Sequence, residues 1–180
     1  MKTYIFLANG FEEVEALAPW DLLLRAGLDV TLVSINETTE VKGTHGLSVK
    51  ADMTAAELPE PEGEICTVLP GGLPGSSNLD ENGIVDKYIA HSASNGHLAA
   101  ICAAPFVLGR RGLLEGLEAI CYPGFEDELK GAVISEKKVV TSKNITTARG
   151  MGVAFEFGVE LIRVLCSPEE ADRISGVTQH

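Results

Sequence analysis

No run of apolar residues approaches the ~20 that a membrane-spanning helix requires. No basic cluster interrupts a chain in which 26 acidic residues outweigh 14 basic ones. The resulting net charge of −12 repels phosphate backbones, which argues against a nucleic-acid partner. The four cysteines, Cys66, Cys102, Cys121 and Cys166, lack any short framework spacing. A disulfide scaffold is therefore not expected, and a reducing compartment is. The apolar stretch Tyr4 to Ala8 is too short for a signal-peptide core and soon meets Glu12-Glu13, so the reading is a cytoplasmic protein. Neither Cys-x-x-Cys nor His-Glu-x-x-His occurs, and no metal or cofactor is expected. The glycine-rich Gly71-Gly72-Leu73-Pro74-Gly75 lacks the Lys-Ser/Thr pair of a nucleotide-binding phosphate loop. Linkers, internal repeats and low-complexity tracts are also missing.

What is present is an ordinary globular composition, 45% hydrophobic and 22% charged over 180 residues, enough to bury a core as one domain over 1–180. Tyr4 to Ala8 reads as a buried strand closed by Asn9-Gly10. Glu12 to Ala26 reads as a helix ended by Gly27 and bent or restarted at Pro19. Further strands are expected at Leu28–Ile35, Glu64–Leu69, Leu98–Ile101 and Val139–Ser142, with a small hairpin around Gly43 and Gly46. Helices are expected at Ile84–Ala93, Ala103–Gly109 and Gly152–Leu165. Strands that are apolar throughout and separated by helices imply a mostly parallel sheet covered on both faces, a three-layer α/β sandwich.

Ligands of such sheets bind beyond the carboxyl ends of the strands. That rule selects Asn9–Glu15, Leu69–Gly75 and Ala100–Pro105. Cys102 ends an apolar strand and precedes a helix, the position of a nucleophile on a tight turn with free N–H groups beside it. A helix N-terminus there would favour the thiolate. The alternative is a small buried side chain. The Gly71-Gly72 pair offers either an oxyanion-type pocket of backbone donors or a plain tight turn. Glu12 and Glu13 read as solvated acids at a helix start. Glu15 shares an apolar stripe with Phe11, Ala18, Leu22 and Ala26, where a carboxyl group is costly unless protonated or paired. Protonated, it could donate to a thiolate at Cys102. Cys66, Cys121 and Cys166 read as packing residues, and His91 and His97 as solvent-exposed. Only His180 follows Cys102 among the histidines, so a cysteine-histidine-acid triad has no ready member.

These pieces resemble the ThiJ/PfpI superfamily. They are Ala8-Asn9-Gly10-Phe11-Glu12-Glu13-Val14-Glu15, Leu69-Pro70-Gly71-Gly72, Ala100-Ile101-Cys102-Ala103-Ala104-Pro105 and Thr141-Ser142, with Thr147 to Gly152 leading into Ala154-Phe155-Glu156-Phe157. Each block alone is weak, but all occur in the superfamily's order and spacing and span nearly the whole chain. The resemblance is to the branch of the parkinsonism-associated deglycase and its bacterial ThiJ-like relatives. It implies a flavodoxin-like fold shared with class I glutamine amidotransferase domains, Cys102 as nucleophile and Glu15 as its protonated partner. Gly71, Gly72 and the Ala103 N–H would line the anion pocket. A homodimer is implied as well, with Arg25 and His45 as polar interface residues and Phe11, Val14 and Trp20 as candidates for its surface. The activity implied is cofactor-free chemistry on small 2-oxoaldehydes, of glyoxalase or deglycase type. The alternatives are an oxidation sensor or chaperone using the same cysteine and, less favoured, a peptidase or amidotransferase. Two departures bear on this: Ala103 stands where peptidase-like members carry histidine, and Tyr122 before Pro123 stands where the animal branch has one.

Overall fold

The computed structural model describes residues 1–180. In chain order the elements are β1 (Lys2–Leu7), α1 (Glu13–Arg25), β2 (Asp29–Ser34), β3 (Glu40–Lys42), β4 (Ser48–Lys50), β5 (Met53–Thr54), β6 (Ile65–Leu69), α2 (Gly75–Asp80) and α3 (Gly83–Asn95). There follow β7 (Gly96–Ile101), α4 (Pro105–Arg110), β8 (Glu118–Ala119), β9 (Val133–Ile134), β10 (Val139–Ser142), β11 (Ile145–Ala148), α5 (Ala154–Leu165) and α6 (Pro168–Thr178). Seven strands form the central sheet in the order β10-β11-β7-β6-β1-β2-β5. All its pairings are parallel except β10 with β11. The fold is the expected α/β sandwich with a mostly parallel sheet.

The continuous apolar strands are buried on both faces. Tyr4 and Phe6 of β1 join Leu98 and Ala100 of β7 against Tyr88, Ile89 and Val107 of α3 and α4. Ile5 and Leu7 join Ala99 and Ile101 against Leu22 of α1, Phe157 and Leu161 of α5 and Ile174 of α6. Alternate side chains on one strand thus serve two cores. The α1–α5 crossing is close because residue 158 is glycine, where a Cβ would come within 2.6 Å of Leu22 Cδ1.

Helix α1 runs unbroken through Pro19, so it does not restart there, and Gly27 at φ +75° follows its end as expected. Strand β1 lies between β2 and β6, so the connection order reverses there. The loops after β1 and β6 open a crevice beside the end of β7, the place where open parallel sheets bind ligands.

Some expectations need correction. Helix α4 begins at Pro105, and residues 102–104 form a turn before it. Strand β11 and helices α2 and α6 were not anticipated. The Thr146-Thr147 pair makes β11 look polar, yet both are buried, with Thr147 Oγ1 accepting the Ile120 N–H at 3.0 Å. His97 is buried, because β7 starts at Gly96 and carries it into the sheet, where its Nε2 meets Thr146 Oγ1 at 2.8 Å. Cys66 and Cys121 are buried, whereas Cys166 at the end of α5 is exposed. Phe11 is fully buried, because its ring belongs to the core beneath α1, and so it is no surface candidate.

Candidate active site

The site forms where backbone turns from distant parts of the chain meet at the sheet's carboxyl edge. Cys102 follows β7 with φ +65°, a left-handed conformation uncommon in a residue bearing a Cβ. Two long-range hydrogen bonds hold it there. The Cys102 N–H donates to the Ala148 carbonyl at 2.9 Å, and the Tyr122 N–H donates to the Cys102 carbonyl at 2.7 Å. The side chain is half-buried.

Glu15 lies in the first turn of α1, fully buried. The helix is positioned by Glu12, whose side chain caps it by accepting the Glu15 N–H at 2.7 Å. The Glu12 N–H in turn donates to the Gly71 carbonyl at 2.9 Å. Glu15 Oε2 accepts the Gly71 N–H at 2.9 Å, while Oε1 is buried without a hydrogen-bond partner. Gly71 lies between the two side chains: a Cβ there would strike Glu15 Oε2 and lie 2.6 Å from Cys102 Cβ. Gly72, at φ +89°, is pressed against the backbone of residues 10–12, where a Cβ would overlap Gly10 O and Glu12 N.

The pocket donors differ from the expected set. The Gly71 N–H is committed to Glu15 and is unavailable to an oxyanion; it orients the carboxyl instead. The N–H groups that favour negative charge on sulfur are those of Ala103 and Gly72. The expected depression of the thiol pKa does not appear. Burial first, then the adjacent charge and hydrogen bonding of Glu15, pushes Cys102 up to about 12, against the two backbone donors. Burial likewise raises Glu15 to about 7, against the opposing effect of the Cys102 thiol and the Gly71 and Met151 N–H groups. The two groups titrate as a pair. Above the first ionisation one proton is left for both, and a thiolate forms when that proton sits on the carboxyl.

A cleft of about 370 Å³, lined by Tyr122, Pro123, Arg149, Gly150, Met151 and Val153 among others, comes close to Cys102 at Gly150. A Cβ at Gly150 would lie 3.3 Å from the Tyr122 ring and 3.9 Å from Cys102 Sγ, so the glycine keeps the approach to sulfur open. Residues 149–151 were read only as part of a motif; no sequence signal gave their closeness to Cys102.

The remaining acids behave differently from a solvated helix start. Glu13 is buried, its oxygens taken by the His45 N–H at 2.7 Å, the His45 ring at 2.9 Å and the Thr44 hydroxyl at 2.9 Å. Burial raises its pKa, but the His45 ring and N–H outweigh burial and hold it at about 2. Glu12, Glu13 and His45 bring ligand-type atoms within 4.8 Å of one another. Arg25 pairs with Asp21 at 2.7 Å on the surface. No helix is long and apolar enough to cross a membrane.

The family model described as "DJ-1/PfpI family" matches residues 1–164. The chain belongs to the DJ-1/PfpI family. Protein DJ-1 homolog B of Arabidopsis thaliana is 37% identical over 178 residues, 97% of this chain and 40% of that protein. The chain spans less than half the length of this relative and of the Arabidopsis homolog A. Protein dj-1beta of Drosophila melanogaster is 33% identical over 95% of this chain and 92% of its own length. A relative named glutathione-independent glyoxalase DJR-1.2, from Caenorhabditis elegans, is 30% identical over 91% of this chain and 87% of its own. Among solved structures, that of oxidized Toxoplasma gondii DJ-1 superposes with a TM-score of 0.90 at 34% identity, covering 99% of this chain and 98% of that one.

Proposed function

We propose that this DJ-1/PfpI member is a cofactor-free, stress-protective enzyme converting reactive 2-oxoaldehydes to 2-hydroxy acids, with Cys102 as nucleophile and Glu15 as proton carrier. The observation that carries the reading is the buried carboxyl of Glu15, fixed through Gly71 beside a left-handed cysteine, with Oε1 unpaired. When the shared proton rests on Glu15, Oε1 becomes a donor toward the thiolate, and the Ala103 and Gly72 N–H groups supply the rest of its stabilisation.

The thiolate attacks the aldehyde carbon, forming the C–S bond. Glu15 gives its proton to the resulting alkoxide, which completes a hemithioacetal. As carboxylate, Glu15 removes the proton from that carbon and returns it to the neighbouring one through an enediol. The first carbon is oxidised to a thioester as the second is reduced to an alcohol, so no external redox partner enters. Water cleaves the thioester, releasing the hydroxy acid and restoring the thiol. With a single carboxyl able to carry the proton both ways, the histidine missing at Tyr122 is not required. Deglycase-type action on glycated amines, a cytoplasmic setting and a homodimer belong to the same reading, supported by the family resemblance.

The test is lactate formation from methylglyoxal by freshly reduced wild type, Cys102→Ser and Glu15→Gln proteins. The expected result is lactate from the wild type alone. Lactate from the wild type no greater than from Cys102→Ser would refute the reading.

A second reading is oxidation sensing, favoured by the oxidized state in which the Toxoplasma relative was solved. Peroxide would take Cys102 to a sulfinic acid, adding two oxygens, with Glu15 and the backbone donors holding them. Peptide mass analysis after mild peroxide decides it. Because Cys166 is exposed, the comparison belongs in a Cys166→Ser background; oxidation spread over Cys66 and Cys121 would sink the idea.

A further inference from the structure

The cleft beside Cys102 also holds a cation that the proposed chemistry leaves without a task. The chain has six arginines. Arg25, Arg110, Arg111, Arg163 and Arg173 each pair with a carboxylate. Arg149 pairs with none. It is exposed, and its side chain reaches only the Glu136 carbonyl, through Nη2 at 3.4 Å. The residue lines the cleft next to Gly150, the glycine whose missing Cβ would lie 3.9 Å from Cys102 Sγ.

In a chain of net charge −12 an anion approaching the sulfur meets general repulsion, so a local unpaired guanidinium decides whether it is admitted. The planar fork of arginine matches a carboxylate or phosphate with two parallel hydrogen bonds. In the same cleft Tyr122 and Met151 stand half-exposed and offer apolar surface for the body of a short chain.

We propose that Arg149 is a specificity residue that holds a carboxylate or phosphate of the substrate, so that this site favours anionic 2-oxoaldehydes over neutral ones. The proposal rests on Cys102 being the attacking group. The reacting carbonyl lies at the sulfur, and the anionic group lies toward Arg149, two or three carbons further along the substrate.

Two measurements test it. The first needs no turnover: Cys102 is alkylated with iodoacetate and, separately, iodoacetamide, and the rates are read from the Cys102 peptide by mass. In each case sulfur displaces iodide, the S–C bond forming as C–I breaks, and the thiol proton leaves to solvent. The iodoacetate-to-iodoacetamide rate ratio is expected to fall roughly three- to tenfold in Arg149→Gln, to recover in Arg149→Lys, and to narrow in high salt. A ratio that stays at the wild-type value in Arg149→Gln overturns the proposal.

The second compares methylglyoxal with 4,5-dioxovalerate and hydroxypyruvaldehyde phosphate. Arg149→Gln is expected to raise KM for at least one of the anionic compounds about tenfold more than for methylglyoxal. The compound more affected tells carboxylate from phosphate. Equal sensitivity of all three overturns the specificity role while leaving the enzyme reading intact. If the wild type turns over none of them, the oxoaldehyde reading fails, and the alkylation ratio still decides whether Arg149 admits anions.

Discussion

The Gly71 N–H donates to Glu15 Oε2 at 2.9 Å, tying the first helix to the loop after β6 and aiming the carboxyl at Cys102. The bond has no room for a side chain between its partners. Gly71→Ala puts a Cβ against Glu15 Oε2 and within 2.6 Å of Cys102 Cβ. Overpacking of this kind costs about 1–3 kcal/mol. The variant should unfold at lower denaturant concentration and alkylate differently at Cys102. Unchanged midpoint and alkylation rate would show that the loop gives way freely.

Glu15 makes the folded protein weaker at alkaline pH. Its folded pKa of about 7 lies above the ordinary carboxyl value of 4.5, so between those values the native state binds the extra proton and stability falls as pH rises. Glu15→Gln removes the buried charge. It should raise stability by on the order of 2–3 kcal/mol at pH 8 and by little at pH 4.5, while abolishing the proposed turnover. Thermal melts across that range check it; a gain independent of pH would assign the effect to packing alone.

His97 acts at the other end of the scale. Burial lowers its pKa from 6.5 to about 4, so between those values the unfolded chain binds the extra proton and stability rises with pH. The penalty is absent above pH 6.5 and reaches on the order of 3 kcal/mol by pH 4. His97→Gln can keep a bond to Thr146 but cannot titrate. Its stability curve should be flatter between pH 4 and 6.5 than that of the wild type; parallel curves would clear His97 of the acid sensitivity.

Glu13 fastens the turn between β3 and β4 to the start of α1 through the His45 N–H. Glu13→Gln should speed hydrogen exchange at that amide and leave the amides of β1 protected, because β1 is paired on both sides. Equal exchange at His45 in both proteins would mean that the hairpin is held by its own ladder.

The strands and the glycine after α1 were legible because burial on both faces writes a continuous apolar run, and because a left-handed helix end calls for glycine. Strand β11 was not legible, since its Thr-Thr pair reads as polar until His97 and the Ile120 N–H are seen to occupy the hydroxyls. Helix α6 carried its own start signals, Ser167 as cap, Pro168 in the first turn and Glu169-Glu170 behind it, but has too thin an apolar stripe to stand out. At the site, Cys102 and Glu15 followed from position and stripe. The commitment of the Gly71 N–H, the thiol pKa and the nearness of Arg149 depend on contacts between residues far apart in sequence. A linear pattern does not carry those distances.

The left-handed backbone of Cys102 has a consequence for how the site ages and fails. Its conformation is kept by the Ala148 carbonyl on one side and the Tyr122 N–H on the other, and its partner carboxyl is delivered from near the start of the chain. Reactivity at this sulfur is thus a gauge of the assembled whole. A proteolytic nick or thermal opening in any of those segments would release Cys102 from that conformation and from Glu15 before the sheet came apart, so the alkylation rate at this sulfur should change before the fold is lost.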